Sequence, residues 1–555
     1  MSLMGSLYVG TSGLQTNQNS LNTTAHNISN VDTEGYTRQQ VLQSNKIYNT
    51  ISNSAQGVAQ KQVGMGVNYS ATRQVRDIFL DATYRQEAGR SSFYEVSYGT
   101  IEEVENLLGE LDGTAFQESL DDLWTAVQEL DKTPESAVTQ GLFIQRSAEF
   151  LARSQAVYEG LSDYQDNLNL QLEDKVSEMN TYANELRDLN ERIRKVETAG
   201  IEHANDLRDE RNTLLDEMSK MGNISYGEDL YGSVLVSFEG TPYVTADHVY
   251  EIGLSTDAIT GFSTPFWPQN ATFTLNSDGN KVYDITDAKV FSFSQPISSD
   301  LDTDIGMLKA IILARGDHRA TYADLQDEDY YKDNVAQSVL MNIQAEFDQL
   351  VHNVTTKINE VIADASNPDT NYLCEEDGSP IQIFKKVTNN GYTYNTITSS
   401  WDYVAEDTSD VYSTETLYTI MNLKINANLQ NNPATLGFVL EDGSIDQDTT
   451  NKLKDIFDDE DYMLNPNVVT KNNFMDYYSS LVAQVGNSGS IYNSILQNQD
   501  ATVQATDAAR QELLAVSTDE ELGNMIRFQN AYNASSRYIN AVSEMLEHVL
   551  NTLGR

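Results

Sequence analysis

LNTTAHNISNVDTEGYTRQQ, residues 21–40, closes a segment in which charge is missing. From Met1 to Val31 the chain has no Asp, Glu, Lys or Arg, although its 555 residues hold 83 acidic and 35 basic side chains and a net charge of −48. Leu7, Leu14, Leu21 and Ile28 recur every seven residues and so form one stripe along a helix. The intervening Gly10, Asn17 and Thr24 are weak seam residues, and Asn, Ser, Thr and Gly are mediocre helix formers. Such a helix is not stable alone and needs a partner stripe. A free amphipathic helix also carries a charged outer face. Its absence favours a segment covered on several sides by neighbours, with Gly35 permitting the turn that leaves the helix.

The other end of the chain offers the partner. Met525, Tyr532, Ile539, Leu546 and Leu553 recur every seven residues, Phe528, Val542 and Val549 widen the same face, and charged residues sit at its edges. Either the two termini pair as helices within one chain, as in an ordinary core, or they join the helices of neighbouring subunits.

Between the ends the pattern is mainly helical. Ile101–Leu111 and Phe116–Leu130 read as amphipathic helices, the second ended by Pro134. Leu168, Leu172, Met179, Tyr182, Leu186, Leu189, Ile193 and Val196 read as a long rod-like helix with Lys175 in its seam. On its surface, Asp188 with Arg192 and Glu191 with Lys195 are expected pairs. Alternation at Val234, Val236 and Phe238, and at Phe273 and Leu275 before the turn NSDGN (276–280), marks residues 224–300 as an inserted β domain. Helical pattern returns from Met307 to Val361, strands and loops fill 365–416, and a last helical stretch opens near Asn472 with a break expected at Gly486–Gly489.

The composition excludes several functions. The acidic balance disfavours nucleic acid and anionic membranes, because phosphate contacts need clustered Lys and Arg. No window approaches the ~20 apolar residues of a membrane span, and no basic and apolar leader marks a cleaved signal. Cys374 is the only cysteine and reads as a lone thiol in a polar loop. The six histidines show no metal-ligand spacing. SDGN (277–280) and EEDG (375–378) lack the first acidic position and the closing Glu of a calcium loop. GMG (64–66) lacks the third glycine of a dinucleotide fingerprint, and GNSG (486–489) lacks the spacing of a nucleophile elbow. No catalytic, metal or cofactor site is legible, and the chain reads as a non-enzyme.

The segment SGLQTNQNSLNTTAHNISNVDTEGYTRQ (12–39) resembles the N-terminal signature of flagellar rod, hook and hook-associated proteins. Asn27, Ile28, Asn30, Gly35 and Tyr36 match it, and Thr37-Arg38-Gln39 is the form typical of the hook-associated protein 1 family. DEELGNMIRFQNAYNASSRYINAVSEMLEHVLNTL (519–553) is similar to the C-terminal helix of these proteins, with Gln529 and Tyr532 in the matching places. NDLRDERNTLLDEM (205–218) and GMGVNYSATRQVRDIFLDATYR (64–85) resemble segments of hook-associated protein 1. Unlike that family, LLAVSTDEE (513–521) has no glycine in the loop before its Asp-Glu-Glu.

The resemblance implies a structural protein of the bacterial flagellum, extracellular and exported without a cleaved signal, which joins hook to filament. It implies a mainly α fold with paired terminal coiled-coil helices, a long helical middle domain and an outward-facing β domain. The expected division is 1–60 with 510–555, 61–223 with 301–509, 224–300, and a small insertion at 385–416. Expected partners are further copies in a ring, hook protein below, a second junction protein and filament above, and an export chaperone on the C-terminal helix, with no cofactor. The expected subunit-interface residues are Leu7, Leu14, Leu21, Asn27, Ile28, Asn30, Gly35, Tyr36 and Arg38, with Met525, Phe528, Gln529, Tyr532, Ile539, Leu546 and Leu553. A hook or distal rod protein would share both termini but lack NDLRDERN and the long 161–196 helix. A coiled-coil scaffold leaves the Gly-Tyr-Thr-Arg exit unexplained, and an enzyme would have to hide its site in 224–300 or 385–416.

Overall fold

A computed structural model describes residues 3–53, 60–109, 116–198, 202–275, 281–293, 296–388, 391–397 and 400–553. Its helices are α1 (Leu3–Ser29), α2 (Ile78–Leu108), α3 (Phe116–Lys132), α4 (Ala137–Glu197), α5 (Asn205–Met221), α6 (Met307–Arg315), α7 (Glu328–Tyr330), α8 (Val339–Ala365), α9 (Ala427–Asn431), α10 (Gln447–Asp458), α11 (Phe474–Leu514) and α12 (Thr518–Leu553). The chain is mainly α with small inserted sheets, and it divides into two compact units. The first comprises 1–91, 178–251 and 499–555, and the second 92–177 and 252–498.

The first unit contains α1, α5 and α12. It also holds a two-stranded ribbon that the sequence pattern did not reveal. In the ribbon β1 (Gln39–Asn45) and β2 (Asn49–Asn53) run out, and β3 (Gln60–Val63) and β4 (Val67–Gln74) run back. The register pairs Gln39 with Gln74 and Asn49 with Val63, all antiparallel. A three-stranded sheet, β5 (Ile224–Glu228), β6 (Val234–Phe238) and β7 (Thr241–Val244), follows α5. Alternation along β6 buries Val234, Val236 and Phe238, as a sheet with one covered face requires. Asn190 of α4 fixes this sheet through its carboxamide, which donates to the Val234 carbonyl at 2.8 Å and accepts from its N–H at 3.0 Å.

The second unit is built on an aromatic cluster. Phe116 of α3 meets Phe150 of α4, Phe347 of α8 and Tyr478 of α11 with ring centroids 5.5, 4.8 and 4.8 Å away. Trp124 stacks on Phe457 of α10 at 5.0 Å. The hairpins β8 (Gly253–Thr256) with β9 (Ser263–Phe266), and β10 (Thr272–Leu275) with β11 (Lys281–Asp284), lie in this unit, so the β stretch 224–300 is shared between the two units. The NSDGN and SDGN turns and Leu111 fall outside the described residues. Strand β12 (Phe384–Lys386) pairs with β15 (Leu423–Ile425), and β13 (Tyr392–Asn395) with β14 (Ser400–Tyr403).

Four local expectations are corrected. No break occurs at Gly486–Gly489: α11 runs through it, and the missing side chain at Gly489 admits α2, whose Ile101 Cγ2 would lie 3.2 Å from a Cβ there. The buried seam of α4 passes through Val176 and Ala183 instead of Lys175 and Tyr182, and Val196 is exposed, because the straight 3.6-residue period drifts from a strict seven-residue repeat. Asp188 pairs with Arg187, while Arg192 turns to Glu210 at 3.7 Å; Lys195 does pair with Glu191 at 2.6 Å. Cys374 is buried, its Sγ donating to the Tyr372 carbonyl at 3.2 Å, and burial raises its pKa.

Candidate assembly interface

Helices α1 and α12 pack antiparallel in the first unit. A Cβ on Gly10 would come within 2.7 Å of Ile539 Cγ1, and one on Gly13 within 3.1 Å of Ser535 Oγ. The glycines therefore set how closely the two backbones approach. The residues of α1 buried within the chain are Gly10, Ser12, Thr16, Ser20, Thr24 and Asn27. Three of them also meet the ribbon: Val67 N–H donates to Ser12 Oγ at 3.3 Å, Gln43 Nε2 donates to Ser20 Oγ at 3.4 Å, and Asn27 bonds Gln39.

The leucine stripe takes a different role. Leu7, Leu14, Leu21 and Ile28 are only half-buried, as are Met525, Phe528, Tyr532, Ile539 and Leu546 on α12. Gln529 is exposed, and the Leu553 side chain lies outside the described residues. Met4, Tyr8, Leu522, Ile526, Met545 and Leu550 are exposed outright. An apolar strip of this kind on paired helices is a candidate contact surface.

The exit from α1 is fixed by the motif residues. The Asn27 side chain, buried to 1% exposure, donates to the Gln39 carbonyl at 2.9 Å and accepts from the Gln39 N–H at 3.0 Å. Its carboxamide thus acts as one rung of a β ladder, tying the end of α1 to the start of β1. Tyr36 Oη donates to the same Asn27 Oδ1 at 2.8 Å. Asn30 closes the last turn by donating from Nδ2 to the His26 carbonyl at 3.0 Å. Gly35 has φ +76°, and a Cβ there would lie 2.8 Å from Thr213 Oγ1, so a glycine is required for two reasons. Arg38 reaches the other terminus: Nε bonds Glu521 at 2.9 Å, Nη2 pairs with Glu520 at 3.0 Å, and its N–H donates to the Leu514 carbonyl at 2.9 Å. The two glutamates stand in the first turn of α12, where the helix dipole favours negative charge.

Helix α5, the NDLRDERN segment, anchors this exit from below. Thr37 is fully buried, and its N–H donates to Asp209 Oδ2 at 3.1 Å. Arg76 grips Asp81 with two 2.8 Å bonds and donates to Thr37 Oγ1 at 3.2 Å. Asp216 receives Arg85 at 2.7 Å and Arg510, which also pairs with Asp81 at 3.1 Å. Burial pushes the Asp209 carboxyl up to about 6 against the hydrogen bonds from Thr37 that pull it down. Sequence reasoning assigned Asn27, Gly35, Tyr36 and Arg38 to the interface but met Thr37, Asp209 and Asp216 only within longer motifs, and Arg510 not at all. Their partners lie far away in the chain, so no local spacing links them.

The chain is similar to known flagellar proteins along its length. Residues 101–371 match the flagellar hook-associated protein FlgK helical domain, residues 7–37 the flagella basal body rod protein model, and residues 510–553 the flagellar basal body rod FlgEFG protein C-terminal model. Flagellar hook-associated protein 1 of Bacillus subtilis is 25% identical over 552 residues, covering 98% of this chain and 96% of the relative. The protein of the same name from Escherichia coli is 23% identical over 566 residues, covering 97% and 98%. The solved structure of the flagellar hook junction protein FlgK from Burkholderia pseudomallei matches 78% of this chain and all of its own at 12% identity, with a TM-score of 0.52, a likeness of fold.

Proposed function

We infer the role of this chain from the family to which it belongs, the flagellar hook-associated protein 1 family: it is a structural protein of the bacterial flagellum at the junction of hook and filament. It assembles with other flagellar components. Within that role, copies of the chain form a ring on the hook protein and carry a second junction protein and the filament. The chain reaches the growing tip unfolded, without a cleaved signal, and a chaperone holds α12 until it is released. The terminal models are shared with rod proteins, but the helical-domain match over 101–371 favours the junction protein over a rod or hook subunit.

The observation that carries this reading is the division of labour on α1. Its small and polar residues are used up inside the chain, and its leucine stripe is left half-covered. Neighbouring copies complete the cover of Leu7, Leu14, Leu21 and Ile28, which adds the unrealised part of the ~1.5–3 kcal/mol that full burial of each such side chain contributes. The test is a strain lacking this chain, supplied with the Leu14→Ser/Leu21→Ser variant. The variant is exported in normal amount, yet filament subunits are shed into the medium and the cells do not swim. Normal filaments and swimming overturn the proposal.

A further inference from the structure

We propose that the described outer part of the ribbon, at Lys46, Ile47 and Tyr48, is a strap that docks into the acidic cleft between α4 and α5 of a second copy of this chain. The inference rests on the ring reading above and adds a lateral contact to it. Its first support is charge. After Glu34 no acidic residue occurs until Asp77, while Arg38, Lys46, Lys61, Arg73 and Arg76 fall between them, in a chain whose acidic residues number 83 against 35 basic.

The second support is what those cations do. At the base of the ribbon Arg38 and Arg76 are spent on Glu520, Glu521 and Asp81. Further out, Lys46 and Arg73 are exposed, and neither has a carboxylate partner among the described residues; Arg73 donates only to Gln40, at 3.2 Å. Beside Lys46, Ile47 is 88% and Tyr48 56% exposed. In so acidic a chain, unpaired cations next to bare apolar side chains describe a surface waiting for an acidic, partly apolar partner.

Every copy carries a surface of that kind. A cleft of about 630 Å³ lies between α4 and α5, with Leu189 and Leu214 in its lining and Glu185, Asp188, Asp206 and Glu210 around them; among the described residues the one cation in the lining is Arg192. Asp188, Asp206 and Glu210 have side chains more than half exposed. The ribbon's own base touches this site, Gln39 Nε2 donating to Asp206 Oδ1 at 3.0 Å. Its outer part runs the other way along α1, from the Asn27 end towards Ser20 and Ser12. At ~3.3 Å per residue, Lys46 stands roughly 20 Å beyond Gln39, out of reach of its own cleft. The occupant is therefore the ribbon of another copy. A contact between two different patches of identical chains is head-to-tail, which is the interface type that closes into rings. Seating Ile47 and Tyr48 supplies the affinity, and the charges select the partner and its register.

The experiment uses the full chain with Cys374→Ser, Lys46→Cys and Glu210→Cys, expressed in a strain lacking the native protein. Hooks are isolated, oxidised mildly and run without reductant. The expected result is a ladder of dimers and larger multimers, absent from either single-cysteine chain. Monomer alone, on hooks that carry the chain by immunoblot, overturns the strap and leaves the ring reading standing; hooks that carry no chain overturn both. In parallel, Lys46→Glu reduces the fraction of hooks bearing filaments and Lys46→Glu/Glu210→Lys restores it. An unaffected Lys46→Glu strain counts against the proposal.

Discussion

Glu346 is the residue whose replacement best tests the energetics of the second unit. It is fully buried on α8 and accepts from Asn465 at 2.5 Å, Gln484 at 3.1 Å and Asn342 at 3.1 Å, with no cation among its partners in the described residues. Burial raises its pKa to about 7, and the three amides pull against that shift. Because the folded value lies above the unfolded one, the stabilisation is complete below about 4.5 and is lost as pH rises through 7. A shift of this size corresponds to about 3 kcal/mol over the whole window and to roughly 2 kcal/mol between pH 5.5 and 8. Asp348, also raised to about 7 by burial, tilts stability the same way. For His318 burial lowers the pKa, but its bonds to Asp317 and Asp324 outweigh that and lift it to about 9, so its share is lost between 6.5 and 9.

The perturbation is Glu346→Gln, which keeps the shape and an acceptor for the surrounding amides but has no charge to bury. Trp124, Trp267 and Trp401 are the only tryptophans and all lie in the second unit, so tryptophan fluorescence during urea unfolding reports on that unit alone. The native chain should lose stability from pH 5.5 to pH 8, and the variant should lose about 2 kcal/mol less over the same interval. A native chain whose stability is level or rises over this range, or a variant with the same pH slope, refutes the reasoning.

Three further outcomes follow from the first unit. Asn27→Ala frees both backbone groups of Gln39, so hydrogen exchange across 39–45 should accelerate about 10–100-fold, as a loss of roughly 1.5–3 kcal/mol implies, while α8 is unchanged. Arg510→Met removes one partner each from Asp81 and Asp216. It should cost roughly 2–3 kcal/mol by circular-dichroism melting, less than breaking an isolated buried pair because Arg76 and Arg85 remain. In the free chain the amides of 3–29 should exchange faster than those of 339–365, and equal protection would contradict an α1 that neighbours complete.

The sequence made the terminal helices, α3, α6 and α8 legible because their apolar residues repeat at helical spacing. The ribbon was not legible: QQVLQSN has no alternation, since β1 has no fully buried face. The short α10 was missed although Leu453, Ile456 and Phe457 are buried. Gly489 looked like a break because the close approach of Ile101 is a fact of packing and leaves no mark on the local sequence. At the interface, periodicity found the leucines, marked Gly10 and Thr24 as weak seam residues, and passed over Ser12, Thr16 and Ser20, because a search for apolar repeats passes over small polar residues. Thr37 and Asp209 are joined across 172 positions, a link that no window can contain.

That oversight bears on how the molecule works. A terminal pair closed by leucines would satisfy itself within one chain and leave little for a neighbour to gain. Here the residues of α1 fully buried inside the chain are a glycine, serines, threonines and an asparagine, which bring the backbones together, while the leucines are only partly covered. The specificity of the pairing comes from Asn27, Tyr36 and Arg38, whose hydrogen bonds fix the exit geometry without adding much hydrophobic stabilisation. The leucine stripe is thus held at a defined angle and register, partly covered, with the burial of its remaining exposed surface still to be gained. On the proposed reading, association orders and stabilises the ends in one step. The absence of charge over the first 31 residues fits the same proposal, because any ion placed on that face would have to be desolvated if a further copy covered it.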